Sequence, residues 1–103
     1  MDEVLEGIAR AGRAGERVAL ATIIATRGSS PRGPGSRLLL WPDGRLIGTV
    51  GGGCGEAEVI RAARDVLDDG VPRLVEVDLT ADAAADEGMV CGGIMEVFVE
   101  PLA

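Results

Sequence analysis

One stretch constrains the fold of this chain more than any other: residues 48–56, which read Gly-Thr-Val-Gly-Gly-Gly-Cys-Gly-Glu. It follows an apolar, strand-like segment and leads directly into a pattern with helical spacing. Three consecutive glycines carry a high backbone entropy cost, so the run predicts a strand-to-helix loop. Cys54 then lies just before a helix N-terminus, where open N–H groups and the helix dipole favour an anion or a thiolate.

A second cysteine, Cys91, also precedes glycines, Gly92 and Gly93. Alone, such a cysteine is more often a core residue at a turn. Because it mirrors Cys54, the two loops together indicate one site built from two segments. The alternatives remain open: Cys54 can be a small buried residue in a flexible turn, and Glu56 can serve only as a partner of the helix dipole.

Another candidate loop, the first along the chain, spans residues 27–35 and is rich in glycine, proline, serine and arginine. Its arginines recur at intervals of five, at positions 27, 32 and 37, with Ser29 and Ser30 between them. Guanidinium groups, hydroxyls and glycine N–H groups together suit a phosphate or another oxyanion. The alternative is a simple connection with solvated arginines.

The composition excludes several function classes. The net charge is −7, which disfavours a nucleic-acid or membrane-surface binder. All ten cationic side chains are arginine, and the chain has no His or Lys, so the usual general base and a Cys–His dyad are missing. Two cysteines without histidine form an incomplete zinc set. We expect a cytoplasmic protein with reduced thiols, because the acidic N-terminus resembles no signal peptide and no apolar run suits a membrane span.

Apolar periodicity predicts a single domain over residues 1–103. The expected class is α/β, with α+β as the alternative: one mixed sheet of about five strands flanked by two or three helices. A turn is predicted at 42–44, and 80–88 is either a short helix capped by Thr80 or a loop. The predicted helices are residues 2–14 and 56–69, and the predicted strands are residues 17–26, 36–41, 45–50, 72–79 and 94–99.

The three loops, taken in order, resemble the N-terminal domain of the XdhC/CoxI family. The resemblance is carried by Gly-Ser-Ser-Pro-Arg at 28–32, by the glycine run at 48–56, and by Cys-Gly-Gly at 91–93 with the following Glu-Val-Phe-Val-Glu-Pro at 96–101. It covers nearly the whole chain, from about Val18 to Leu102. Members of the family typically continue into a Rossmann-like C-terminal domain, whereas this sequence stops at Ala103.

The resemblance implies a chaperone that binds the molybdenum cofactor, as molybdopterin or its dinucleotide form, and delivers it to a hydroxylase of the xanthine dehydrogenase or carbon monoxide dehydrogenase type. Such a protein binds and transfers rather than catalyses. Cys54 would be the soft contact to the molybdenum centre. The implied cofactor-binding residues are Ser29, Ser30, Arg32, Gly51, Gly52, Gly53, Cys54, Glu56, Cys91, Gly92 and Gly93.

The implied partners are a molybdenum hydroxylase apo-enzyme, a cysteine desulfurase, a separate Rossmann-domain chain and a second copy of this chain; nucleic acid and membrane are not expected. Two other functions are compatible with the residues. In the first, Cys54 is a thiol that carries sulfur. In the second, the domain is a non-catalytic adaptor with inert cysteines.

Overall fold

A computed structural model describes residues 2–28, 32–51, 55–80 and 92–102 of this chain. The predicted class is confirmed: an open five-stranded sheet carries two helices in the described part of the chain. Leu79 and Thr80 are also helical. The elements in chain order are α1 (Glu3–Ala14), β1 (Val18–Arg27), β2 (Arg37–Leu40), β3 (Leu46–Gly48), α2 (Glu56–Asp69), β4 (Arg73–Asp78) and β5 (Ile94–Leu102).

The sheet has the order β3-β2-β1-β5-β4, and all four pairings are antiparallel. The prediction of a mixed sheet was therefore wrong in this detail. The physical reason lies in the α2 crossover. It joins β3 to β4, which run in the same direction, but the two strands lie at opposite edges and never pair.

The strand alternation determines where the connections leave the sheet. The end of β1 pairs with the start of β5 through Arg27 and Ile94, and Asp78 at the end of β4 pairs with Ile94 from the other side. Gly48 at the end of β3 pairs with Leu38 near the start of β2. The segments that follow β1, β3 and β4 therefore all leave from the same end of the sheet.

Helix α2 covers one face of the sheet and forms the larger core. Its buried stripe consists of Val59, Ala63, Val66 and Leu67, which pack in one cluster with alternate residues of β1, β2, β4 and β5. Glycines in a left-handed conformation flank the helix at Gly55 (φ 78°) and Gly70 (φ 72°). The predicted bounds of α2, 56–69, are confirmed because both glycines act as clear boundary signals in the sequence.

Helix α1 covers the opposite face over β2 and β3, where Val4, Ala11, Leu39 and Trp41 form a second, smaller core. Asp2 caps α1 by accepting hydrogen bonds from the N–H groups of Val4 and Leu5. The bond from Val4 is the main reason that the pKa of the Asp2 carboxyl is lowered. The helix thus begins one residue later than the predicted 2–14, since Asp2 is its cap.

Strand β1 contains an irregularity between Ile23 and Ala25 in its register with β5. Ile23 is fully buried in the larger core, whereas Ile24 is 51% exposed. Because Ala19, Ala21 and Ile23 all face the larger core, the two-residue alternation of the strand places Ile24 on the other face. The register irregularity means that Ile24 is the extra residue of a bulge in the pairing with β5.

The two neighbouring isoleucines give a matched test of the sheet. We expect Ile23→Ala to reduce the free energy of unfolding by about 2–5 kcal/mol, because it leaves a cavity in the core. Ile24→Ala should cost less than about 1 kcal/mol, as is usual for a surface position. Urea unfolding followed by the fluorescence of the single tryptophan, Trp41, measures both. Equal losses for the two variants would contradict the register.

Candidate functional site

The three predicted loops lie within the connections 28–36, 49–55 and 79–93, whose described ends are all at one end of the sheet. Their ends are anchored by backbone hydrogen bonds. Gly35 N donates to Ile23 O at 2.8 Å, and Thr49 N donates to Arg37 O at 3.1 Å. Leu79 N donates to Gly93 O at 2.9 Å. The sheet therefore fixes the ends of all three loops.

The first and third loops come into contact through glycine backbone. Gly28 has a φ of 73°, and a methyl group added there would lie 3.3 Å from both the Gly92 carbonyl oxygen and the Gly93 Cα. This approach is tight even for a small side chain. The structure thus places Gly92 and Gly93 beside the start of the arginine- and serine-bearing loop, a contact that the sequence did not predict.

Several predicted site residues lie outside the described part of the chain: Ser29, Ser30, Gly52, Gly53, Cys54 and Cys91. Their positions are constrained only by their sequence neighbours. Cys54 directly precedes Gly55 and comes two residues before the first residue of α2, whereas Cys91 directly precedes Gly92. Whether the two sulfur atoms are close together therefore stays a prediction.

The second loop rejoins the sheet through Gly55, where the chain turns into α2. Gly55 adopts a left-handed conformation, and a methyl group added there would lie 2.7 Å from side-chain atoms of both Val77 and Leu79. Those neighbours lie at the end of β4 and the start of the third loop. Close packing at Gly55 thus joins the second and third loops.

Glu56, the first residue of α2, turns its carboxylate back towards the preceding strand. Its Oε2 accepts a hydrogen bond from Thr49 Oγ1 at 2.5 Å and another from Val50 N at 3.3 Å. Thr49 Oγ1 in turn accepts from Gly51 N at 3.1 Å. Sequence analysis missed Thr49. A threonine two residues before a glycine is the signal for this type of turn.

The two arginines that flank the first loop, Arg27 and Arg37, form ion pairs with different elements. Arg37 forms an ion pair with Asp2 at the N-terminus of α1, and Arg27 lies 3.8 Å from Glu76 of β4 across the sheet surface. Both pairs are at least partly exposed, so they contribute little to stability.

At the end of β4, the Asp78 carboxylate accepts hydrogen bonds from both the N–H and the hydroxyl of Thr80. These bonds, the hydroxyl first, lower the pKa of Asp78. Since Leu79 and Thr80 are helical, Asp78 rather than the predicted Thr80 has the capping role. The rest of the predicted segment 80–88 lies outside the described residues.

A groove of about 520 Å³ lies at the other end of the sheet, beside Trp41, but its polar groups bind one another. Trp41 Nε1 donates to Glu16 at 3.1 Å, and Arg45 donates to Glu16 at 3.0 Å and to Asp43 at 2.9 Å. The Arg45 guanidinium also lies 4.8 Å from the Trp41 ring. This cluster, which sequence analysis did not predict, stabilises the β2–β3 turn and leaves few polar groups for a ligand.

Two further absences concern only residues that the structure describes. Across the ranges 2–28, 32–51, 55–80 and 92–102, no three Asp, Glu, Cys or His side chains are grouped as ligands of a metal ion would be. Within the same ranges, no helix has both the length and the apolar surface needed to cross a membrane.

A comparison with known families matches most of the fold and covers the first two loops. The family described as "XdhC and CoxI family" matches residues 11–78. This match covers more than half of the chain, which therefore belongs to the XdhC and CoxI family.

Individual relatives match over most of this chain but over a small part of their own length. The "Uncharacterized protein YqeB" of Escherichia coli K12 is 38% identical over 79% of this chain and 15% of its own length. A protein of Bacillus subtilis 168 named as a probable xanthine dehydrogenase subunit is 33% identical over 82% of this chain and 26% of its own. This chain thus spans about a quarter or less of either relative.

The fold also matches a solved structure, the crystal structure of a xanthine dehydrogenase from Bacillus halodurans. The TM-score is 0.80 at 31% sequence identity, over 96% of this chain and 30% of the other. Nearly all of the fold described above is therefore present as one part of a longer protein.

The packing around Gly55 gives a test of how the second loop is held. Both Gly55 and Gly70 have left-handed backbones, so alanine at either should cost about 1–2 kcal/mol in backbone strain. Only at Gly55 would the methyl group also overlap neighbouring side chains, which should add about 1–3 kcal/mol. Urea unfolding of Gly55→Ala and of the control Gly70→Ala measures the difference. Equal losses would contradict the close packing between the second and third loops.

Proposed function

We propose that this chain is an accessory protein that binds the molybdenum cofactor on behalf of a molybdenum hydroxylase. One observation carries the proposal. The three loops of the family resemblance leave from one end of the sheet, where Gly28 lies close to the backbone of Gly92 and Gly93. Membership of the XdhC and CoxI family supports it. So does the similarity to proteins named as xanthine dehydrogenases.

The donor groups on these loops fit the chemistry of the cofactor. Its phosphate or dinucleotide tail requires cationic forks, hydroxyls and N–H groups, which Arg32, Ser29, Ser30 and the glycine backbone can supply. Its dithiolene–molybdenum centre is soft and suits a thiolate such as that of Cys54. Bare glycine backbone at Gly92 allows a ligand to approach without hindrance from a side chain.

Each group on the chain has a limited task in this proposal. Arg32 and the two serines hold the anionic tail, while residues 51–53 and 91–93 surround the pterin. Cys54 contacts the metal end, and its place before a helix N-terminus favours the thiolate form. When bound, the cofactor supplies the redox-active molybdenum centre of the recipient hydroxylase; this chain needs no turnover of its own.

The proposal predicts a cofactor-bound form of this protein. Native mass spectrometry of the chain, co-expressed with an active molybdopterin pathway, should detect a pterin-plus-molybdenum mass. Arg32→Ala should lower the affinity by about tenfold or more, because a hydrogen bond to a charged group contributes about 1.5–3 kcal/mol. Cys54→Ala should also lower it, because the thiolate contact to the soft metal centre is lost. Arg13→Ala is the matched control, since that exposed arginine lies in the last turn of α1.

Two results would count against this function. Full affinity in the Arg32 and Cys54 variants would show that the cofactor binds elsewhere. A clean apo mass for the wild-type chain would contradict autonomous binding. Recovery of a hydroxylase by a chain with both cysteines changed to alanine, without cofactor, would favour the adaptor function instead.

A further inference from the structure

The hydroxyl of Thr49 lies between the first residue of the glycine loop and the first residue of α2. It donates to Glu56 Oε2 at 2.5 Å and accepts from Gly51 N at 3.1 Å. The same carboxylate oxygen accepts from Val50 N at 3.3 Å. One threonine side chain thus connects the two ends of the 51–55 loop.

The direction of these bonds follows from their chemistry. A hydroxyl has one proton, and an ionised carboxylate can only accept. With its proton directed at Glu56, Thr49 Oγ1 presents a lone pair to the Gly51 N–H. Because the charge of Glu56 orients the hydroxyl, it also determines where the Gly51 N–H points.

Thr49 itself is held by the sheet. Its N–H donates to Arg37 O at 3.1 Å. The preceding Gly48 has a φ of 83°, and a methyl group there would lie only 2.3 Å from that same carbonyl oxygen. The backbone of β3 is therefore pressed against β2 just before the loop begins. This contact gives Thr49 a fixed position from which to orient the loop.

Electrostatics separates Glu56 from the direct contacts to the cofactor. The cofactor tail is anionic, and a carboxylate next to it would repel it. Glu56 and Glu58 both lie in the first turn of α2, where they already complement the helix dipole. A phosphate is consequently better accommodated at the arginine-bearing loop than at this helix N-terminus.

We propose that Thr49 and Glu56 are positioning residues that hold the N–H of Gly51, the first residue of the glycine run, in the orientation that binds the cofactor. This inference rests on the proposed function and deepens it. It assigns Glu56 a role through Thr49 instead of through the ligand, and it adds Thr49, which was not among the predicted site residues.

The test compares three variants that differ by few atoms. Thr49→Val keeps the shape of the side chain and removes the hydroxyl, and Thr49→Ser restores the hydroxyl. Glu56→Ala removes the acceptor. The first readout is amide hydrogen exchange at Gly51 in the cofactor-free protein. The second is affinity for the molybdopterin cofactor, measured by fluorescence titration.

We expect exchange at Gly51 to be about tenfold faster in Thr49→Val and near wild type in Thr49→Ser, because one hydrogen bond of about 1–2 kcal/mol is lost and regained. Cofactor affinity should fall several-fold in Thr49→Val and recover in Thr49→Ser. The double variant Thr49→Val/Glu56→Ala should be no weaker than the poorer single variant, since both residues act through the same chain of bonds.

Unchanged exchange at Gly51 in Thr49→Val, or a serine variant as impaired as the valine variant, would overturn the inference. Additive losses in the double variant would do so as well, because they would mean that Glu56 contacts the ligand independently. If the wild-type chain binds no cofactor, the proposed function fails, while exchange at Gly51 still decides whether Thr49 orders the loop.

Discussion

The strict antiparallel alternation of the sheet is the constraint on which the rest of this structure depends. Because β1, β3 and β4 run one way and β2 and β5 the other, the connections after β1, β3 and β4 all leave from one end of the sheet. The described ends of three segments that are distant in sequence therefore lie at the same end of the sheet.

Close backbone contacts bring the loops together more effectively than side-chain charges do. Gly28 approaches Gly92 and Gly93, Gly48 lies against Arg37, and Gly55 lies against Val77 and Leu79. At Gly28, Gly48 and Gly55 the left-handed backbone excludes larger residues at little cost to glycine itself. The exposed ion pairs of Arg27 and Arg37, in contrast, are of a kind that contributes little to stability.

The sequence predicted local structure well where the signals are local. The bounds of α2 follow from its apolar stripe and from the glycines at 55 and 70, and the turn at 42–44 follows from its proline, aspartate and glycine. The strand order could not be predicted, because nothing in the periodicity of β5 indicates that it lies between β1 and β4. The bulge at Ile24 was not predicted, because an apolar run does not show where an extra residue enters the pairing between two strands.

For the site, sequence patterns identified loops but not the bonds within them. The contact between Gly28 and residues Gly92 and Gly93 was not predicted, and the pairing of the two Cys–Gly motifs stays a prediction. The orientation of Glu56 towards Thr49 and the pairing of Arg37 with Asp2 depend on tertiary contacts between residues that are seven and 35 positions apart. Such contacts have no periodic signature in a single sequence.

The central proposal is one cofactor site at the end of the sheet from which the three loops leave. The most direct measurement is a titration of the ¹⁵N-labelled chain with molybdopterin cofactor, followed through backbone amide chemical shifts. We predict saturable chemical-shift changes in residues 28–36, 49–55 and 79–93, with the shifts of the Trp41 and Arg45 region unchanged. Saturable shifts around Trp41, or in only one of the three loops, would contradict a single site formed by all three loops.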